Sequence, residues 1–176
     1  MVSNIIKSVK KNILDFSLLP ESVLIEPELK YEDKIVYRKH SGKVESVTKF
    51  SQKNGNKIKV INYDYFDDKK IKSIDEFDED TGKIVRTTNF TLFKAITEYD
   101  IQSGKKLRTL NYNFRDESKL SSIHEYNLKY EKVSKITVFR NDGKSISMVK
   151  EINPQTERIE KCINFKRGSN TVSSVS

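Results

Sequence analysis

The stretch Ile71 to Lys83 reads IKSIDEFDEDTGK. Three apolar residues stand three apart (Ile71, Ile74, Phe77), a Glu precedes the aromatic, and Asp-Glu-Asp-Thr-Gly-Lys closes the phrase. The phrase returns as Phe93, Ile96, Glu98, Tyr99 before DIQSGK, and as Leu120, Ile123, Glu125, Tyr126 before NLKYEK. A further copy has Ile146, Val149, Glu151, Ile152 and then NPQTER, and a weaker early one has Val44, Val47 and Phe50. The chain is a tandem repeat, and no catalytic or ligand-binding motif rises above that signal.

The residues that close successive phrases are Phe50, Tyr63, Phe77, Phe90, Tyr99, Tyr112, Tyr126, Phe139, Ile152 and Phe165. They are 13 or 14 residues apart except for one interval of 9, from Phe90 to Tyr99. Phrases carrying the Glu alternate with phrases that open on a basic residue, such as KIKVINY (57–63), KLRTLNY (106–112) and RIEKCINF (158–165). One of each makes a unit of about 26 residues, a period typical of repeat architectures.

Apolar spacing of three suits a helix side as well as a strand, so length and composition arbitrate. A helix inside a 13-residue phrase with its turn has only about two turns, which is marginal. The phrases are rich in Ile, Val, Thr, Phe and Tyr, and between them sit Asn54-Gly55, Asp67-Asp68, Thr81-Gly82, Ser103-Gly104, Asp116-Glu117 and Asn141-Asp142-Gly143. That is strand and turn chemistry. The sequence predicts a mainly β fold, an antiparallel meander of about ten strands, with one N-terminal amphipathic helix. Strict alternation puts Ile71 and Phe77 on one face and Ile74 on the other, unless a bulge brings them together. Either way the sheet is able to stand as a single layer, with Lys and Arg stems covering part of the rings.

The short interval gives a separate expectation. Phe90-Thr91-Leu92-Phe93 lacks Gly, Asp and Pro, and bulky residues resist the positive φ of a two-residue hairpin. Ile84 to Tyr99 is expected to run as one long or bent strand that divides the sheet, with Leu92 and Phe93 as a contact surface.

Apolar residues make up 35% of the 176 and charged residues 33%, so any core is thin. The net charge of +8 comes from interspersed charges of both signs, which usually means a solvated surface. The single Cys162 excludes an internal disulfide, and His40 and His124 form no cluster with it, so neither a metal nor a cofactor is expected. No apolar run reaches the ~18 residues of a membrane span. Lysines break up the apolar stretch at residues 1–16 and no small-residue cleavage site follows, so a secretory signal is not expected there. A cytoplasmic location is expected, with secretion by an unrecognised route left open.

Ser3 caps a predicted helix to about Phe16, with Ile5, Ile6, Val9, Ile13 and Leu14 along one side. Glu21 to Glu32 reads as a linker and Lys34 to Arg38 as a short strand. The domain expectation is 1–40 for helix, linker and short strand, 41–166 for the β-repeat, and 167–176 for a disordered Ser-rich tail.

The turn residues Asp78 to Lys83, Asp100 to Lys105 and Asn141 to Lys144 resemble the short bacterial repeats of the MORN and YwqK type, over roughly residues 41–166. The resemblance implies a meandering sheet that contacts a partner and does no catalysis.

Two ladders follow from the repeat. Glu76, Glu98, Glu125 and Glu151 share one position, and Lys83, Lys106, Lys132 and Arg158 share another. Equivalent copies of one residue mark a structural motif, whereas a catalytic site needs unlike residues converging once. Cross-strand pairing of Glu with Lys or Arg is the expectation. The function expected is a non-enzymatic module for protein interaction or self-association, with Leu92, Phe93, Lys83, Lys106, Lys132 and Arg158 as its surface. The alternative is a binder of an anionic polymer, nucleic acid or polysaccharide, through the basic ladder. Nucleic acid is not favoured, because Asp64, Asp67, Asp68, Asp78, Asp80 and Asp116 crowd the turns.

Overall fold

The computed structural model describes residues 33–169 and 171–176. The chain divides into two units, Met1–Lys30 and Tyr31–Ser176. The first lies outside the described residues, and the expected N-terminal helix and the linker lie outside them too.

Each phrase of the repeat forms a strand. In order these are β1 (Lys34–Tyr37), β2 (Val44–Phe50), β3 (Lys57–Tyr63), β4 (Ile71–Phe77), β5 (Ile84–Asn89) and β6 (Ala95–Tyr99). Then follow β7 (Lys106–Asn113), β8 (Asp116–Asn127), β9 (Lys132–Phe139), β10 (Ile146–Ile152), β11 (Ile159–Phe165) and β12 (Val172–Val175). They make one 12-stranded sheet in sequence order, antiparallel throughout. The strand number is therefore twelve, not about ten. β1 is the short strand candidate, and β12 stands where a disordered tail is expected. Val-Ser-Ser-Val pairs along β11 (Ile163↔Val175, Asn164↔Ser174), and Asn164 Nδ2 donates to Ser174 Oγ at 3.1 Å.

The turn after Phe77 shows how the repeat is built. Asp78 N–H donates to Lys83 O and Gly82 N–H to Asp78 O, both at 2.8 Å. Gly82 takes a φ of +67°, the left-handed corner that lets a four-residue loop close a hairpin. Asp78 Oδ1 accepts from Thr81 N–H and Oγ1, both at 2.8 Å. The same backbone frame recurs at Arg38–Lys43, Ser51–Asn56, Asp100–Lys105 and Asn153–Arg158.

Beside these turns the register slips by one residue. Asn62 pairs with Ser73 but Tyr63 with Ile71, and Glu76 pairs with Arg86 but Phe77 with Ile84. An extra residue, Lys72 or Val85, is left over at each slip, as in a β-bulge. Lys72 offsets the two-residue alternation between Ile71 and Ile74. This explains an apolar spacing of three inside a strand, and it corrects the placement of Ile71 with Phe77 on one face.

The short interval is an ordinary hairpin, against expectation. Arg86, Thr87, Thr88 and Asn89 pair without a slip with Glu98, Thr97, Ile96 and Ala95. The connection runs from Phe90 to Lys94, long enough to turn without a left-handed residue. Its turn chemistry comes from Asn89, whose Oδ1 accepts from Thr91 N–H at 2.9 Å and Thr91 Oγ1 at 2.8 Å. The β7–β8 turn also moves, to Phe114-Arg115, because Asp116 already belongs to β8.

No hydrophobic residue is buried among the described residues, and Ser51, 2% exposed, is the fully buried side chain. Strands touch only their neighbours in sequence. Apolar groups are covered from within the layer, by the next strand and by lysine stems. Lys57 Nζ lies 5.0 Å from the Phe77 ring centre, Lys94 Nζ 4.8 Å from that of Tyr112 and Lys106 Nζ 5.8 Å from that of Tyr126. Such cation–ring contacts contribute about 0.5–1 kcal/mol each when exposed.

Candidate interaction face

Residues directly opposite each other in an antiparallel sheet share a face, so the pairing traces continuous rows. One row runs Lys49, Lys59, Glu76, Arg86, Glu98, Arg108, Glu125, Lys135, Glu151, Lys161 across β2 to β11. From Lys59 onward its signs alternate at every strand. Arg108 Nε donates to Glu98 Oε2 at 2.6 Å, Lys135 Nζ stands 3.1 Å from Glu125, and Glu76 lies 3.4 Å from Lys59 and 3.5 Å from Arg86. Three members of the Glu ladder, Glu76, Glu98 and Glu125, are thus paired across strands. Arg108 and Glu98 keep exposures of 50% and 24%, so these pairs are screened and each is worth a few tenths of a kcal/mol.

Two residues along, on the same face, a row of ten apolar residues and two threonines crosses the twelve strands: Ile35, Val47, Ile61, Ile74, Thr88, Ile96, Leu110, Ile123, Thr137, Val149, Ile163, Val175. Its inner members are half-buried, and among the described residues only neighbouring strands lie beside them. Alternation along odd strands adds Tyr63, Tyr112, Phe139 and Phe165 beyond this row. The opposite face carries the phrase-closing Phe77, Tyr99, Tyr126 and Ile152 beside a polar row. Asn62 Nδ2 donates to Ser73 Oγ at 3.0 Å, Thr87 Oγ1 to Asp75 Oδ1 at 2.8 Å, and Asn111 Nδ2 to Ser122 Oγ at 3.1 Å. His124, also there, has its pKa pushed below the usual value by burial.

The surface expected from sequence is not brought together. Leu92 and Phe93, 87% and 45% exposed, lie at one strand-end margin of the sheet. Lys83 and Arg158 lie in turns at the other margin, and Lys132 opens β9 there, paired with Asn127. Lys106 is a β7 residue opposite Tyr99, and Lys105 takes the turn position shared by Lys83, Lys132 and Arg158. These turn lysines reach forward to the next turn. Lys83 Nζ donates to Gln102 O at 2.9 Å, Lys105 Nζ to Leu128 O at 2.9 Å, and Lys132 Nζ to Glu157 Oε1 at 2.6 Å. Their charges fasten one turn to another.

Beside Leu92 and Phe93, sequence reading missed Tyr65, Phe66 and Phe114, exposed by 69%, 81% and 71%. All are in successive turns of one margin. The signal was present as Asn-Tyr-Asp-Tyr-Phe, Asn-Phe-Thr-Leu-Phe and Asn-Tyr-Asn-Phe at 62–66, 89–93 and 111–114. Acidic residues in or beside the turns of both margins are held as carboxylates, Asp78 and Asp100 at one and Asp116 and Asp142 at the other. A hydrogen bond from Ser145 lowers Asp142 to about 2, and one from Lys119 lowers Asp116 to about 2. No group of His, Cys, Asp and Glu fit to hold a metal occurs among the described residues. None of their helices is long and apolar enough to cross a membrane.

A family model described as a protein of unknown function (DUF2963) matches residues 37–89 and 114–164, more than half of the chain. Matching twice, it marks the same duplication as the strands. No curated protein matches. Among solved structures, a mutant of S. aureus TarM in complex with fondaparinux, alpha-GlcNAc-glycerol and UDP is similar at 14% identity and a TM-score of 0.46. That match covers 57% of this chain and 19% of TarM. A second TarM structure gives 16% identity, a TM-score of 0.43 and coverages of 51% and 17%. The chain thus spans about a fifth of TarM's length. A protein of unknown function from Bacteroides fragilis is 12% identical with a TM-score of 0.21, over 74% of this chain and 90% of that one. At these TM-scores none carries an argument about activity.

Proposed function

For a chain that belongs to the DUF2963 family of proteins of unknown function, we propose a non-enzymatic role as an interaction module that binds protein through the apolar face of its sheet. One observation carries the reading: a row of ten apolar residues and two threonines crosses twelve strands, and no hydrophobic residue among the described residues is buried. A contiguous apolar stripe of this length, half-buried by its strand neighbours and exposed only at Ile35 and Val175, is the kind of surface that contact sites use. The MORN-like resemblance of the turns accords with a sheet used for contact. Binding of an anionic polymer has less support, because Lys83, Lys105 and Lys132 already donate to neighbouring turns.

The test combines light scattering with an environment-sensitive apolar dye. Self-association, or a monomer that binds dye and loses it on Ile123→Lys but not on Thr87→Lys, supports the reading. A monomer that binds no dye overturns it.

A further inference from the structure

Resting on that reading, we propose that the occupant of the apolar face is a second copy of this chain, related by a two-fold axis parallel to the strands and passing between β6 and β7. From Lys59 to Glu151 the charges beside the apolar row are complementary to their own reversed order. A two-fold axis in this direction lays each row of one sheet over the same row of the other and reverses the strand order. Apolar meets apolar, and β6 lies over β7, β5 over β8 and β4 over β9.

Because the charge row alternates in sign from Lys59 onward, reversal about a point between β6 and β7 sets the charges of β3 to β10 over their opposites, and only the outermost Lys49 and Lys161 meet as like charges. Glu98 faces Arg108 of the second copy, Arg86 faces Glu125, and Glu76 faces Lys135. The outer pair, Lys59 and Glu151, follows the same rule. Like charges set opposite each other would cost affinity, so the charges favour an axis between strands over one along a strand, and of the axes between strands the one between β6 and β7 overlaps all twelve strands. A two-fold axis across the strands is disfavoured. It puts the charge row against the side that carries Tyr63, Lys94 and Tyr112, where its charges lose water without gaining partners.

The surface is large enough. Twelve strands about 4.8 Å apart give a row roughly 53 Å long. With the flanking rows about 20 Å wide, this approaches roughly 1,000 Å² per copy, above the ~800 Å² of a standard interface. The arrangement is a face-to-face pair of sheets with their strands nearly aligned, an established packing mode. The interface is isologous, as two-fold symmetry requires.

The test uses the full chain. Light scattering between about 1 and 100 µM should give twice the 20.5 kDa chain mass. Ile96→Lys should return the mass to one copy, while Thr97→Lys, next door but on the other face, should leave it doubled. Circular dichroism of each variant confirms that the sheet persists. Should Ile96→Lys fail to fold, the unsubstituted protein still decides. A spin label on Cys162, in β11 and on the outer face, lies nine strand spacings from its copy, so a distance near 45 Å is expected. A separation below ~25 Å, or a dimer indifferent to Ile96→Lys, overturns the pairing. A monomer that binds dye also overturns it and leaves the face open to another protein. A monomer that binds none overturns both readings.

Discussion

Gly143 and Gly104 occupy turns at opposite margins, with φ values of +70° and +73°, and replacing each by Ala separates backbone strain from packing. An L-residue in the left-handed region costs roughly 1–2 kcal/mol. Ala recovers about 0.4–1 kcal/mol by restricting the unfolded chain. Around Gly104 an added Cβ meets nothing within 4 Å, so Gly104→Ala should cost only about 1 kcal/mol. At Gly143 the same atom would lie 2.7 Å from Lys119 Cβ, 2.8 Å from Lys119 Cα and 2.9 Å from Leu120 N. Two of these are backbone atoms of β8 and cannot swing away. Overpacking adds about 1–3 kcal/mol, bringing Gly143→Ala to about 2–4 kcal/mol. Urea denaturation of both variants, with unchanged m-values, reads the difference. Losses equal to within ~0.5 kcal/mol would refute the claim that the β9–β10 turn packs against β8.

Four further outcomes follow from the same geometry. Glu125→Gln should shift stability by under ~1 kcal/mol, since its pair with Lys135 is exposed. Tyr126→Ala should cost ~2 kcal/mol, because the ring is half-buried under Lys106; denaturant melts in the reverse order would contradict the assignment. Asp116 and Asp142 have folded pKa values lowered from 3.8 to about 2. Their contribution is therefore complete above the unfolded pKa and is lost as pH falls through roughly 4 to 2. Asp142→Asn should flatten that part of the pH–stability curve, and an unchanged curve would count against the turn geometry. On heparin at ~50 mM salt the protein should show little retention; strong retention with a steep salt slope would restore the anionic-polymer reading.

The meander and its pairing were legible because each phrase carries its strand, its turn and one cross-strand charge partner in a fixed order. The Glu ladder was readable from spacing alone for that reason. Three features were hidden by physics that spacing does not encode. The bulges at Lys72 and Val85 shift alternation without leaving a residue signature. The Phe90–Lys94 connection lacks Gly, yet a five-residue loop with Asn89 supplying the side-chain acceptor needs none. Lys106 was assigned to the turn row because it precedes an apolar residue. The hydrogen-bond frame, which runs from Asp100 to Lys105, puts the turn lysine one residue earlier. β12 was missed because Ser-rich composition outweighed the Val alternation that pairs it to β11. The apolar face could be counted in residues but not recognised as unpartnered until the sheet proved to be one layer.

The central claim is an open, one-layer sheet in which sequence order is spatial order. The most direct test is the distance between spin labels at Lys49→Cys in β2 and at the native Cys162 in β11. The labelled protein is diluted with unlabelled protein, so that only pairs within one chain contribute. Nine strand spacings of about 4.8 Å predict a separation of roughly 40 Å. A separation under ~20 Å would mean that the sheet closes on itself or folds into two layers, and would contradict the account.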